Sequence, residues 1–170
     1  MRHITLITTG GTIEKTYDET TGTLENRRSI VGRMLSRLRL EDTRVCCTEL
    51  MSKDSLLMTD EDRAAVVAAV REAAGSSPPP VGIVILHGTD TLEQTGERLC
   101  RELDPCPVPV VLTGAMRPYE MKRSDALQNL TEAVFGAGVL PAGVYCVAHG
   151  RALRFPGVTK DRVRRTFTAG

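Results

Sequence analysis

Short apolar runs alternate along this chain with segments in which apolar residues recur every three or four positions. Residues 3–9, with Ile4, Leu6 and Ile7, predict a first strand, and residues 29–40 set Ile30, Val31, Met34, Leu35 and Leu38 on one face of a helix. Residues 43–50 read as a second strand. Thr59, three positions before Asp62, has the spacing of a capping box, and the Ala- and Val-rich stretch behind it predicts a helix that Gly75 ends. Residues 76–80, rich in Ser and Pro, predict a loop. Residues 81–86 form an uninterrupted apolar, β-branched run, the pattern of a parallel strand buried on both faces. Helices are then expected over 91–103 and 124–137, and strands over 108–112 and 143–148. The alternation predicts an α/β fold: a doubly wound, largely parallel sheet with helices on both faces. Two stretches fall outside it. Residues 14–28 are polar and without period, which suits a mobile lid, and the tail after His149 contains Pro156, Gly157 and a short basic segment read as a helix.

The chain has 170 residues, the size of one globular domain, and 41% hydrophobic with 25% charged residues gives it a core of aliphatic side chains under a charged surface. A net charge of +1 creates no field that would draw a polyanion. The arginine clusters at Arg27, Arg28, Arg33, Arg37 and Arg39, and at Arg162, Arg164 and Arg165, lack interleaved aromatics and read as solvated faces, so no nucleic-acid partner is expected. No apolar run reaches membrane-spanning length and no leader pattern follows Met1, so the expectation is a cytoplasmic protein without a membrane partner. The five cysteines include the adjacent Cys46 and Cys47 but no Cys-x-x-Cys spacing, and they read as reduced packing residues. His3, His87 and His149 have no carboxylate or thiol at ligand spacing, which predicts no metal site.

In open α/β sheets small ligands collect at the carboxyl ends of the strands. Three predicted strands end in loops rich in glycine and hydroxyl groups: Thr8-Thr9-Gly10-Gly11-Thr12-Ile13, His87-Gly88-Thr89-Asp90-Thr91 and Thr113-Gly114-Ala115-Met116-Arg117-Pro118. Any one of them could be a turn that merely ends a strand. Three at one sheet edge favour a small-ligand site. The loops contain no Gly-x-x-x-x-Gly-Lys-Ser/Thr and no Gly-x-Gly-x-x-Gly, so a nucleotide lacks its cradle and no cofactor is expected. No Gly-x-Ser-x-Gly elbow occurs either.

These motifs, in this order and at these separations, resemble the amino-terminal catalytic domain of bacterial-type L-asparaginases, and the resemblance runs across almost the whole chain. It implies hydrolysis of L-asparagine, with a minor activity on glutamine. Thr12 is similar to the family nucleophile, and Thr89, Asp90 and Lys160 to its Thr-Lys-Asp relay. Ser55, with Asp54 before it, resembles the serine that holds the substrate α-carboxylate; Asp90 is similar to the residue that receives the α-ammonium. Gly11 and the backbone of Ala115 would line the substrate, and Tyr17 resembles the lid tyrosine that touches the nucleophile. The chain is expected to correspond over 1–170 to that single domain, without the family's smaller carboxyl-terminal domain. Apolar surface left uncovered in that way would be buried in a homo-oligomer.

The residue types also suit the chemistry on physical grounds. A threonine hydroxyl attacks an amide only when a base takes its proton. A lysine does this when burial makes its ammonium costly, and a neighbouring carboxylate then holds the cation that forms. Backbone donors at glycine turns stabilise the oxyanion. Two alternatives stay open: an ammonia-producing amidotransferase subunit on the same scaffold, and a non-catalytic sensor of aspartate or asparagine.

Overall fold

The apolar runs form the centre of one sheet in a computed structural model that describes residues 1–170. In chain order the elements are β1 (Arg2–Gly10), the short strands β2 (Thr16–Asp18) and β3 (Thr23–Glu25), α1 (Val31–Leu35), β4 (Thr43–Lys53) and α2 (Asp60–Ala74). There follow β5 (Gly82–Leu86), α3 (Leu92–Glu102), β6 (Pro109–Thr113), α4 (Ala126–Val139) and β7 (Gly143–Ala148). The chain finishes in β8 (Arg151–Arg154), β9 (Val158–Asp161) and β10 (Thr166–Ala169).

The sheet order is β4-β1-β5-β6-β7-β8, parallel throughout except for the antiparallel edge strand β8. After β1 the chain goes to one side to make β4 and then crosses back to make β5 on the other. The loops after β1 and β5 therefore diverge at a topological switch point, where open sheets bind ligands. Every residue of β5, β6 and β7 is buried, as the β-branched pattern requires. Alternate side chains of β5 feed two separate clusters of nearly equal size, 18 and 17 buried residues. Ile83 and Ile85 join Val66, Val70, Leu92 and Leu99 from α2 and α3; Val84 and Leu86 join Met34, Leu130 and Val134 from α1 and α4. The sheet is thus covered on both faces.

Local chemistry explains where the helices begin and end. The α2 capping box is complete: the Thr59 amide donates to Asp62 Oδ2 at 2.9 Å, and the Asp62 amide donates to Thr59 Oγ1 at 3.2 Å. The expected helix over 29–40 is shortened to the five residues of α1. Ser36 turns its hydroxyl back onto the Arg33 carbonyl (2.9 Å), and the next amides, of Arg37 and Leu38, bond three residues back instead of four.

One further expectation is corrected. The basic segment of the tail is not a helix: β9 and β10 form an antiparallel hairpin. Its turn is built by Asp161, whose Oδ1 accepts the amides of Val163 (3.0 Å) and Arg164 (2.8 Å), with Arg165 at φ 54°. Within residues 14–28, the stretch that suits a lid, β2 and β3 pair as a hairpin. That hairpin is tied to the body through Asn26, which donates to the Gly11 carbonyl at 2.8 Å, and through the Tyr17 amide, which donates to Glu120 at 2.9 Å.

Candidate active site

The three glycine loops meet at the carboxyl ends of β1, β5 and β6. A register shift between Thr8 and Gly10 swings the chain off β1, and Gly10 and Gly11 take φ values of 95° and 80°. Gly11 then lies against the second loop so closely that a Cβ on it would come 2.4 Å from the Gly88 nitrogen. A Cβ on Gly88 would stand 2.5 Å from Ser55 Oγ. Gly11 therefore packs against Gly88 and Gly88 against Ser55, and a side chain on either glycine would force them apart. Thr12 opens the single helical turn after Gly11 and stays half-buried.

Glu14 fixes that turn from below. Its buried carboxylate accepts the Gly10 amide at 3.2 Å through Oε2 and is held by the Ser29 hydroxyl through Oε1. Burial pushes its carboxyl above the ordinary range against the pull of these hydrogen bonds.

The second loop provides the titratable centre. Lys160 Nζ lies 2.7 Å from Thr89 Oγ1 and 2.9 Å from Asp90 Oδ1, so the three residues form one hydrogen-bonded chain although lysine and threonine are 71 positions apart. Arg162 Nη1 donates to the same Asp90 oxygen at 2.7 Å. Partial burial alone would raise the Asp90 carboxyl; the Lys160 and Arg162 cations outweigh it and hold the group below the usual carboxylate range. Beneath the loop His87 is fully buried. Burial pushes its ring down to about 4, leaving it neutral at pH 7, with Nδ1 donating to the Gly88 carbonyl and Nε2 accepting from Thr95, each at 2.8 Å.

Ser55 is 1% exposed and its hydroxyl has no partner within the chain, so it is a polar atom aimed at the site. Its backbone is fixed by the Thr91 hydroxyl, which donates to the Ser55 carbonyl at 2.9 Å. Next to it Asp54 is paired with Lys15 at 2.8 Å, and that hydrogen bond, helped by the Leu56 amide, keeps the Asp54 carboxyl low. Ala115 is buried in the third loop. A Cβ on Gly114 in that loop would meet the His87 carbonyl at 2.3 Å and the Thr89 methyl at 3.1 Å.

Of the residues singled out from the sequence, Gly11, Ser55, Thr89, Asp90 and Lys160 are gathered here, with Thr12 directly after Gly11 and Asp54 directly before Ser55. Tyr17 is not brought to Thr12. It sits on β2, 56% exposed, and its hydroxyl makes no hydrogen bond with the threonine. Several supporting residues escaped sequence reasoning. Glu93 and Glu97, one turn apart on α3, accept the Lys160 amide at 2.9 Å and the Gly157 amide at 2.6 Å, and so dock the hairpin that carries Lys160. Asp125 takes the amides of Met116 (3.0 Å) and Arg117 (3.0 Å) and pairs with His149 Nε2 at 2.8 Å. Burial would raise the Asp125 carboxyl, and these donors together pull it below the ordinary value. The i, i+4 spacing of the two glutamates was a visible signal of a shared face; their partners were not.

Surface hollows of about 360 and 600 Å3 lie near the ends of α2 and α3 and beside Phe155, and contain none of the loop residues above. No helix is long and apolar enough to cross a membrane.

Comparison with known proteins agrees with this fold. The family described as Asparaginase, N-terminal, matches residues 3–168. The D subunit of the glutamyl-tRNA(Gln) amidotransferase from Haloquadratum walsbyi is 32% identical over 163 residues, covering 86% of this chain and 33% of that protein. An L-asparaginase from Thermococcus kodakarensis is 35% identical over 112 residues, covering 65% of this chain and 33% of that protein. Among solved structures, the thermostable L-asparaginase from Thermococcus kodakarensis superposes with a TM-score of 0.84 at 28% identity, over 98% of this chain and 51% of that one. L-asparaginase I from Vibrio cholerae gives 0.81 at 26% identity, over 99% and 51%. The chain spans about a third to a half of the length of these relatives. With a match from end to end and a parallel sheet of the same design, the chain belongs to the asparaginase family, over its amino-terminal domain.

Proposed function

We propose that this chain hydrolyses the side-chain amide of L-asparagine to L-aspartate and ammonia through an ester formed on Thr12. The observation that carries the reading is the Thr89–Lys160–Asp90 chain, with Lys160 Nζ 2.7 Å from a hydroxyl and 2.9 Å from a carboxylate. Thr12 attacks the amide carbon, and its proton passes to the relay. The relay returns a proton to the departing nitrogen, and ammonia leaves. Water then attacks the ester, loses a proton to the relay, and aspartate departs as Thr12 is restored. The unpartnered Ser55 hydroxyl donates to the α-carboxylate, and Asp90 takes the α-ammonium. Backbone amides of the glycine loops, whose packing fixes their direction, stabilise the oxyanion. Tyr17 enters this scheme only if its hairpin moves onto Thr12.

The similarity to an amidotransferase component over 86% of the chain supports a second reading, in which the ammonia serves a partner amidotransferase. One experiment tests both. Ammonia release from L-asparagine is measured on the purified chain, with Thr12→Ala as control. Steady turnover that the control abolishes supports free hydrolysis. Turnover only in the presence of a partner supports the second reading, and turnover surviving in Thr12→Ala removes Thr12 as nucleophile. Phe135 and Val139, 66% and 52% exposed on α4, favour assembly into a homo-oligomer, which the mass from light scattering checks.

A further inference from the structure

Asp90 is already shared by two cations. Lys160 and Arg162 both donate to Oδ1, at 2.9 and 2.7 Å, and Arg162 makes no other side-chain hydrogen bond. The two cations differ in kind. Lys160 is 13% exposed and is fixed through its backbone by Glu93, whereas the Arg162 side chain is 67% exposed and projects from the hairpin turn that Asp161 holds. Asp90 thus meets two basic side chains at one oxygen, while Glu93 answers only the Lys160 backbone amide. A ligand ammonium bound for Asp90 must either displace Arg162 or accept its repulsion.

We infer that Arg162 is a specificity-determining residue: it competes with the substrate α-ammonium for Asp90 and so admits ω-amides of dicarboxylic acids that carry no α-amino group. This rests on the proposed amidohydrolase reading, in which Asp90 faces the α-ammonium. The competition is a mild one, because an exposed ion pair is weak and the arginine can swing into solvent. Arg162 therefore acts on ground-state binding and not on the reacting atoms.

The test uses two substrates that differ only in the amino group, L-asparagine and succinamate, with the intact chain, Arg162→Gln and Arg162→Lys. Arg162→Gln should lower the KM for asparagine by about threefold to fivefold, the range an exposed ion pair can supply. The KM for succinamate should stay level or rise. Arg162→Lys, which keeps the charge, should restore most of the original ratio. Equal shifts for both substrates, or none, overturn the inference. Calorimetric binding of the products, L-aspartate and succinate, separates it from the activity itself. If neither amide is hydrolysed but Arg162→Gln strengthens aspartate relative to succinate, the hydrolase reading fails and the inference stands. If asparagine is hydrolysed and that ratio does not move, the inference fails alone. Failure of both products to bind either protein also overturns it.

Discussion

Thr89 and Lys160 lie 2.7 Å apart, and neither can replace the other. Thr89→Val keeps the volume and deletes the hydroxyl, so turnover in the ammonia assay should fall about a thousandfold while circular dichroism stays unchanged. Near-normal turnover would take the relay out of the reaction. His87 makes a separate prediction, about stability. Its folded pKa of about 4 lies below its ordinary value of 6.5, so between those values the unfolded chain binds more protons than the folded one. Its contribution is therefore complete above pH 6.5 and is lost as pH falls toward about 4, by roughly 3 kcal/mol. Denaturant melts across that window should show the loss. In His87→Asn the protein should be less stable overall but lack this slope; an unchanged slope would mean that the ring is not the titrating group. Candidate residues next to glycine turns were legible in the sequence because their neighbours in the chain are also their neighbours in space. The partners of His87 show the limit: Gly88 is adjacent, and Thr95 lies within the following helix.

Among the elements, α3 does more than cover the sheet. Glu93 holds the backbone of β9 at Lys160 and Glu97 holds it at Gly157, just before the strand, so the position of Lys160 is set by a helix about seventy residues earlier. Replacing both with alanine should free the strand and lower kcat about tenfold to a hundredfold, since small misplacements of a catalytic group are costly. Amide exchange at Gly157 and Lys160 should accelerate in parallel. Unchanged kcat with faster exchange would show that Lys160 finds its place without the clamp. The elements differ in how well sequence disclosed them. The α2 cap was readable because both of its partners lie within three residues, and β5 because burial on both faces leaves an unbroken apolar run. The β9–β10 hairpin reads as a basic helix in sequence. Its strands are four residues each, too short for a period to show, and the Asp161 turn that separates them looks like any polar stretch. The helix over 29–40 failed for a similar reason, since the apolar spacing continues past the point where Ser36 diverts the hydrogen bonds.

For the whole molecule, the alternation of strands and helices announced a parallel sheet, and the rule that ligands gather at strand ends pointed to three loops that the fold brings together. The lateral order of strands was not written in that pattern. Pairing of β1 between β4 and β5 joins residues far apart in the chain, Arg2 with Thr43 and Ile4 with Gly82, and the site closes over similar spans, Thr91 to Ser55 across 36 positions and Arg162 to Asp90 across 72. The same long reach has a consequence in time. A chain still emerging from the ribosome possesses both threonines and Asp90 long before residue 160 is available, and so has the walls of the site without its amine. Catalysis should therefore switch on late in synthesis and late in refolding. In stopped refolding experiments ammonia production should recover more slowly than helical circular dichroism, in step with protection of the Lys160 amide. Recovery of activity together with the helices would mean that the hairpin docks as early as the sheet.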